Sequence, residues 1–156
     1  MPLRRLIQPV FRPIFHVHAR TTRGLTLGVR GLVTDEAGRV LLIEHTYMPG
    51  WYMPGGGVER GETSEQALAR ELVEEAGVEL TAPPRLVSIH ANHARFRGDH
   101  VLFYRIEAWR PCPATSRGEI KALDWFAPDA LPHDTTASTR RRVAEALGGH
   151  PIDPHW

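Results

Sequence analysis

The sequence holds a single cysteine, Cys112. No internal disulfide can form, and a reducing compartment, the cytoplasm, is the expected setting. Lysine is as scarce: Lys121 is the only one, so arginine carries the remaining positive charge. Neither sign of charge is in excess. The formal net charge of +1 gives no bulk attraction toward nucleic acid. DNA is therefore not an expected partner, and RNA is disfavoured because it usually selects a basic surface. No apolar run approaches the length of a membrane span. The opening MPLRRLIQPVF lacks the clean apolar core and small-residue cleavage site of a signal peptide. Repeats and low-complexity tracts are absent too. The 156 residues are one domain's worth, enough for a substantial core.

Three parts are expected: an N-terminal arm (1–20), a main domain (21–149) and a C-terminal tail (150–156). In the arm, Leu3, Leu6, Ile7, Val10, Phe11, Ile14 and Phe15 recur at helical spacing. Pro9 and Pro13 break the pattern. Such an arm suits packing on protein, above all across a homodimer, better than lying on a membrane. From Leu25 the text becomes strand-like. LTLGVRGLV and RVLLIEH flank TDEAG, which predicts a hairpin. RLVSIHAN, HVLFYRIEAW and EIKALDWF are further strand candidates, and STRRRVAEALGG predicts a last helix. Strands interrupted by one long helix and closed by a second predict an α/β fold with a mixed sheet between helices.

The densest information lies in GGGVERGETSEQALARELVEEAGV, residues 55–78. A run of glycines costs entropy and implies a backbone only glycine can make, or a close approach to a ligand. Thr63 and Gln66 form a capping box that starts a helix. Ala67, Leu68, Leu72 and Ala76 give its apolar stripe, and Gly77 its stop. Glu71, Glu74 and Glu75 then share one face at i, i+3 and i+4. Like charges at that spacing repel by roughly 0.2–0.5 kcal/mol per pair. A hard divalent cation with oxygen ligands would offset that repulsion, and Mg²⁺ usually comes with a phosphate substrate.

From Gly56 the chain reads Gly, five residues, Glu62, seven residues, Arg70-Glu71-Leu72, one residue, Glu74-Glu75, one residue, Gly77-Val78. This resembles the signature of the Nudix hydrolases with every fixed position filled. The resemblance, which runs from about Leu25 to Leu147, implies a Nudix-type α/β/α sandwich and hydrolysis of a diphosphate linkage. The substrate would be a nucleoside diphosphate derivative or a nucleoside triphosphate, and the cofactor Mg²⁺, with Mn²⁺ as a substitute. It implies metal ligands at Glu71, Glu74 and Glu75 and at the carbonyl of Gly55. It makes Arg70 the residue that orients the acids and gives Glu62 an indirect role. Glu119, six residues before Trp125, matches an additional ligand or base, with Asp99 and Glu107 as rivals. The general base stays open among Glu71, Glu74 and Glu119.

Substrate recognition is less legible. Trp51 and Tyr52 precede the glycine loop and suit stacking on a ring. Gly56 and Gly57 leave room for phosphate. His93 and Arg95, in a polar cluster with His90, Asn92 and Arg97, suit a grip on phosphate or sugar. Arg140, Arg141 and Arg142 open the last helix, against its dipole, and read as a solvated face. The residues that mark particular substrates elsewhere in the family are not matched. A small nucleotide therefore stands as the expected partner. An RNA 5′ end and a non-catalytic nucleotide-sensing role are the alternatives.

Overall fold

The computed structural model describes residues 24–116 and 118–156. The arm at 1–20, with the dimer argument it carries, lies outside them. The described chain runs β1 (Thr26–Val33), β2 (Val40–His45), β3 (Trp51–Tyr52), α1 (Ser64–Ala76), β4 (Val78–Leu80), β5 (Arg85–Ala91), β6 (Asp99–Ile106), β7 (Trp109–Pro111), β8 (Ile120–Phe126) and α2 (Ala137–Leu147).

The strands join in the orders β1-β6-β5, β3-β2-β8 and β4-β7. β1 is parallel to β6, and β5 is antiparallel to β6, so the first sheet is mixed. Side chains alternate along each strand and feed two cores. Val29 and Val33 of β1, with Leu102, Tyr104 and Ile106 of β6, pack under Ala67, Leu68 and Leu72 of α1. Leu32, Phe103 and Leu42, from the opposite face, pack with Val143 of α2. The strands thus lie between α1 and α2 as an α/β/α sandwich.

The capping box forms as its residues dictate. Thr63 Oγ1 accepts from the Gln66 backbone at 3.2 Å, and Gln66 Oε1 accepts from the Thr63 backbone at 2.8 Å. Gly77 ends α1 at φ 61°. A Cβ there would stand 2.5 Å from the Cys112 carbonyl oxygen.

The hairpin expected between β1 and β2 is a correction. Its turn exists, closed by Gly38 N–H on the Asp35 carbonyl at 3.0 Å. The pairing stops at one bridge, Thr34 with Val40. The outer edge of β1 is already occupied, because Val29 N–H donates to Gly56 O at 2.9 Å and Gly31 N–H to Pro54 O at 3.0 Å. β2 pairs with β8 instead.

The solvated arginine face on α2 holds for Arg140 and Arg141 and is corrected at Arg142. Consecutive helical residues point about 100° apart, so the three arginines cannot share a side. Arg140 donates to the Thr135 carbonyl at 3.2 Å. Arg142 is fully buried and paired with Glu145 at 2.6 Å. Arg140 and Arg141 are exposed, and Arg141 lines a cavity. The last residues are laid along β5, with Ala91 N–H on Pro154 O at 2.8 Å and Trp156 N–H on Ala91 O at 2.9 Å.

α1 crosses β1 at Gly31, where a Cβ would meet Ile106 Cδ1 at 2.9 Å and Leu68 Cδ1 at 3.2 Å. Gly31→Val should therefore overpack this contact and lower stability by about 1–3 kcal/mol. Urea unfolding of the two proteins measures the difference, and an unchanged midpoint would refute the crossing.

Candidate active site

Arg70 organises the acidic face of α1. Its guanidinium forms a fork on Glu62, with Nε to Oε1 at 2.8 Å and Nη2 to Oε2 at 3.1 Å. Nη1 reaches Glu71 at 2.8 Å and Glu74 at 3.4 Å, and Nη2 donates to the Gly57 carbonyl at 3.2 Å. One side chain thereby ties the loop before α1 to the acids on it. The hydrogen bonds from Arg70 hold the Glu62 carboxyl below its usual range, as charge-assisted pairs do.

The glycine loop lies against those acids. A Cβ on Gly55 (φ 141°) would stand 2.1 Å from the Val29 carbonyl oxygen, and one on Gly56 would stand 2.3 Å from Glu71 Oε1. Only glycine fits at position 55, and a side chain at 56 would displace the Glu71 carboxylate. The carbonyls of Met53, Pro54, Gly56 and Gly57 each accept a hydrogen bond, from Arg30, Gly31, Val29 and Arg70. The Gly55 carbonyl accepts none among the described residues. Gly55 N–H donates to Glu75 Oε2 at 2.8 Å.

Glu75 is buried, and burial pushes its carboxyl up to about 7. The Gly55 N–H and Arg30 oppose that rise, while the charges of Glu71 and Glu119 add to it. Among the described residues no three His, Cys, Asp or Glu side chains converge on one ligating point. The donor set still fits a hard divalent cation: a spare carbonyl, two buried or half-buried carboxylates and a third on the same face, all oxygen. Glu71, Glu74, Glu75 and Gly55 would hold it.

Other groups gather round Glu75. His45, at the end of β2, places Nε2 3.9 Å from Glu75 Oε1. Neither ring nitrogen of His45 has a hydrogen-bond partner among the described residues. Burial, then the charge of Arg30, keeps this imidazole below its ordinary value, hence neutral. The Tyr47 ring lies 5.0 Å from it. Glu119 is exposed just before β8. Its carbonyl accepts from Thr46 N–H at 2.9 Å, which pins it beside β2, and its charge reaches Glu75, His45 and Tyr47. The two rivals lie elsewhere. Asp99 accepts from Thr26 Oγ1 and Asn92 Nδ2, each at 2.7 Å. Glu107 sits near Arg85 at 3.5 Å.

A cavity of about 820 Å³ opens beside the loop, on the α2 face of the mixed sheet. Tyr52, Gly56, Gly57 and Arg95 line it; Trp51 and His93 do not. The Trp51 ring packs edge-on against Phe126 at 4.9 Å, and His93 stands edge-on to His100 at 5.3 Å. Arg30 and Trp156 are among the lining residues that escaped the sequence reading, and Arg141 was read there as part of a solvated face. Arg30 left a trace, being a charge inside the apolar strand LTLGVRGLV. It donates to Met53 O at 2.9 Å. Trp156 left none.

The Glu75 shift fixes a pH dependence for the metal-free protein. The folded pKa is raised, so folded protein binds more protons and stability falls as pH rises from about 4.5 through about 7. The loss has an upper bound of about 3 kcal/mol. Urea unfolding in EDTA should show wild type weakening between pH 5 and pH 8 and Glu75→Gln changing less. Affinity for Mg²⁺ or Mn²⁺, read by thermal shift, should rise over the same interval, since the ligand must be deprotonated. Equal slopes for the two proteins would refute the assignment.

Residues 24–147 match the model of the NUDIX domain. A MutT-like protein of Streptomyces ambofaciens is 32% identical over 130 residues, covering 83% of this chain and 80% of the relative. An RNA pyrophosphohydrolase of Brucella ovis is 31% identical over 148 residues, covering 79% of this chain and 81% of the relative. Among solved structures, a MutT NUDIX hydrolase from Burkholderia pseudomallei superposes with a TM-score of 0.66 at 30% identity, covering 78% of this chain and 97% of that one. With an acidic helix, a glycine loop and a domain match that runs through both, the chain belongs to the Nudix family of pyrophosphohydrolases.

Proposed function

We propose that the protein is a Mg²⁺-dependent hydrolase, with Mn²⁺ as a substitute, that cleaves the diphosphate linkage of a nucleoside diphosphate derivative or nucleoside triphosphate. The observation that carries this reading is the meeting of the α1 acids with the glycine loop at the edge of the cavity, through Gly55 N–H on Glu75 at 2.8 Å. A cation bound there neutralises phosphate oxygens and polarises phosphorus toward water. The chain does the rest. Gly56 and Gly57, without side chains, let a diphosphate approach the backbone. Arg30 and Arg95 reach the cavity and offer planar donors to phosphate oxygens. Arg70, engaged by Glu62, Glu71 and Glu74, holds the acids in place and stays off the substrate. The base is Glu71, Glu74 or Glu119, namely the one whose Gln variant removes the acidic limb of the pH–rate profile.

The Brucella relative favours a second reading, removal of diphosphate from an RNA 5′ end. Arg97 and Arg141 on the cavity wall would suit a longer polyanion. The same proposal takes the working protein as a cytoplasmic homodimer without a DNA partner. No helix among the described residues is long and apolar enough to cross a membrane.

A screen of nucleoside triphosphates, nucleotide sugars, dinucleotides and a 5′-triphosphorylated oligonucleotide, with Mg²⁺ in ¹⁸O-water, tests both readings. Release of a nucleoside monophosphate is the expected result; release of pyrophosphate from the oligonucleotide alone, leaving its 5′-monophosphate end, selects the second. Glu74→Gln should lower kcat on the order of 10²–10³-fold while the unfolding midpoint stays near wild type. Near-normal turnover of this variant would refute the role of the acid face.

A further inference from the structure

The NUDIX match ends at residue 147, yet the cavity wall includes Trp156. Residues 151–156 are fixed by an unusual investment of buried polar groups. Arg142, fully buried, pairs with Glu145 at 2.6 Å and donates to the His155 carbonyl at 3.1 Å. Glu145 also accepts the Asp153 N–H at 2.9 Å. His90 Nδ1 lies 2.7 Å from the Asp153 carbonyl and also against Arg142 Nη1, and Nε2 lies 2.7 Å from Ser88 Oγ. None of these groups touches the acidic face of α1. An interior arginine and glutamate are costly unless paired and hydrogen-bonded, and here both act on the same six-residue strap.

The strap delivers one ring. The Trp156 indole has the Arg142 guanidinium over it at 5.5 Å, His90 edge-on at 5.6 Å and Phe103 at 6.4 Å. Arg142 is buried and covers part of the indole, while Trp156 still lines the cavity. The glycine loop and the strap lie on opposite edges of the mixed sheet. The loop bonds to β1 through Val29, and the strap bonds to β5 through Ala91. Their backbones are four strand spacings apart, roughly 19 Å. The indole reaches back to Phe103 on β6, leaving about 10–15 Å to the loop. That is the span from a diphosphate to the base of the same extended nucleotide.

We propose that Trp156, held by the Arg142–Glu145–His90 latch, is the platform on which the nucleobase of the substrate stacks, and so a specificity-determining residue outside the family's matched region. The assignment rests on the reading of the substrate as a nucleotide. A flat aromatic ring that lines a cavity can stack on any base, and one such stack is worth about 5- to 150-fold in affinity. The strap therefore sets how strongly the base end is held, while the loop and acids handle the diphosphate.

The test labels the full chain with 5-fluorotryptophan. Its four tryptophans give four ¹⁹F resonances, and Trp156→Phe identifies the one of interest. AMP, GMP, CMP and UMP are added singly, and inorganic pyrophosphate separately. At least one mononucleotide should shift the Trp156 resonance, and pyrophosphate should not. For a nucleotide found to be hydrolysed, Trp156→Ala should raise KM about 10-fold with kcat within about threefold, and Trp156→Phe should restore KM. A resonance unmoved by all four mononucleotides overturns the proposal, as does an unchanged KM in Trp156→Ala. If no nucleotide is hydrolysed, the functional reading fails by itself, and the fluorine shift on wild-type protein still decides the platform.

Discussion

Residues 53–58 lie against the outer edge of β1 as though they were its neighbouring strand, and the site depends on that approach. Val29 and Gly31 donate to Gly56 and Pro54, and Val58 N–H returns a bond to Leu27 O at 2.9 Å. The contact is so close that a Cβ on Gly55 would stand 2.1 Å from the Val29 carbonyl oxygen. With the loop fixed in this way, Gly55 turns its N–H to Glu75, and its carbonyl accepts no hydrogen bond among the described residues. The loop also takes the edge that a β1–β2 hairpin would have used. A single constraint thus positions the candidate ligands and decides the sheet's connectivity.

Electrostatics follow from this geometry. Glu71, Glu74 and Glu75 would repel one another on an isolated helix. Arg70 spreads its donors over Glu71, Glu74, Glu62 and Gly57, which leaves Glu75 as the acid without an arginine hydrogen bond. Burial raises that carboxyl to about 7, close to where a cation competes with a proton. The neutral His45 beside it, with no partner on either nitrogen among the described residues, adds a polar ring but no charge. The site is arranged so that added positive charge would be stabilising, with the arginine cation kept to one side.

The cavity is bounded by elements distant in sequence. β1 supplies Arg30, the loop before β6 supplies Arg95 and Arg97, the start of α2 supplies Thr136 and Arg141, and the strap supplies Trp156. The strap's anchors, Arg142 and Glu145, stand on α2 one turn apart with His90 on β5, so Trp156 and the second hydrophobic core share one buried polar network. Such networks are costly when partly satisfied, which makes the strap's position a property of the whole α2 layer.

Local chemistry was legible in the sequence. The capping box at Thr63 and Gln66, the stop at Gly77 and the acid face at Glu71, Glu74 and Glu75 depend on fixed spacings along one helix, and spacing along a helix is geometry. The α/β/α layering followed from alternation and periodicity, and the family from nine positions in one segment. What only the tertiary structure decided are the partners across distance. β1 pairs with the glycine loop and β6 where the sequence implied β2, because strand periodicity says which face is buried and nothing about which edge is taken. Trp51 turned to the core while Tyr52 lines the cavity, since neighbours on a strand face opposite sides. Arg142 and Trp156 carried no readable signal: an arginine on a helix and a tryptophan among prolines look like surface until α2 and β5 close around them.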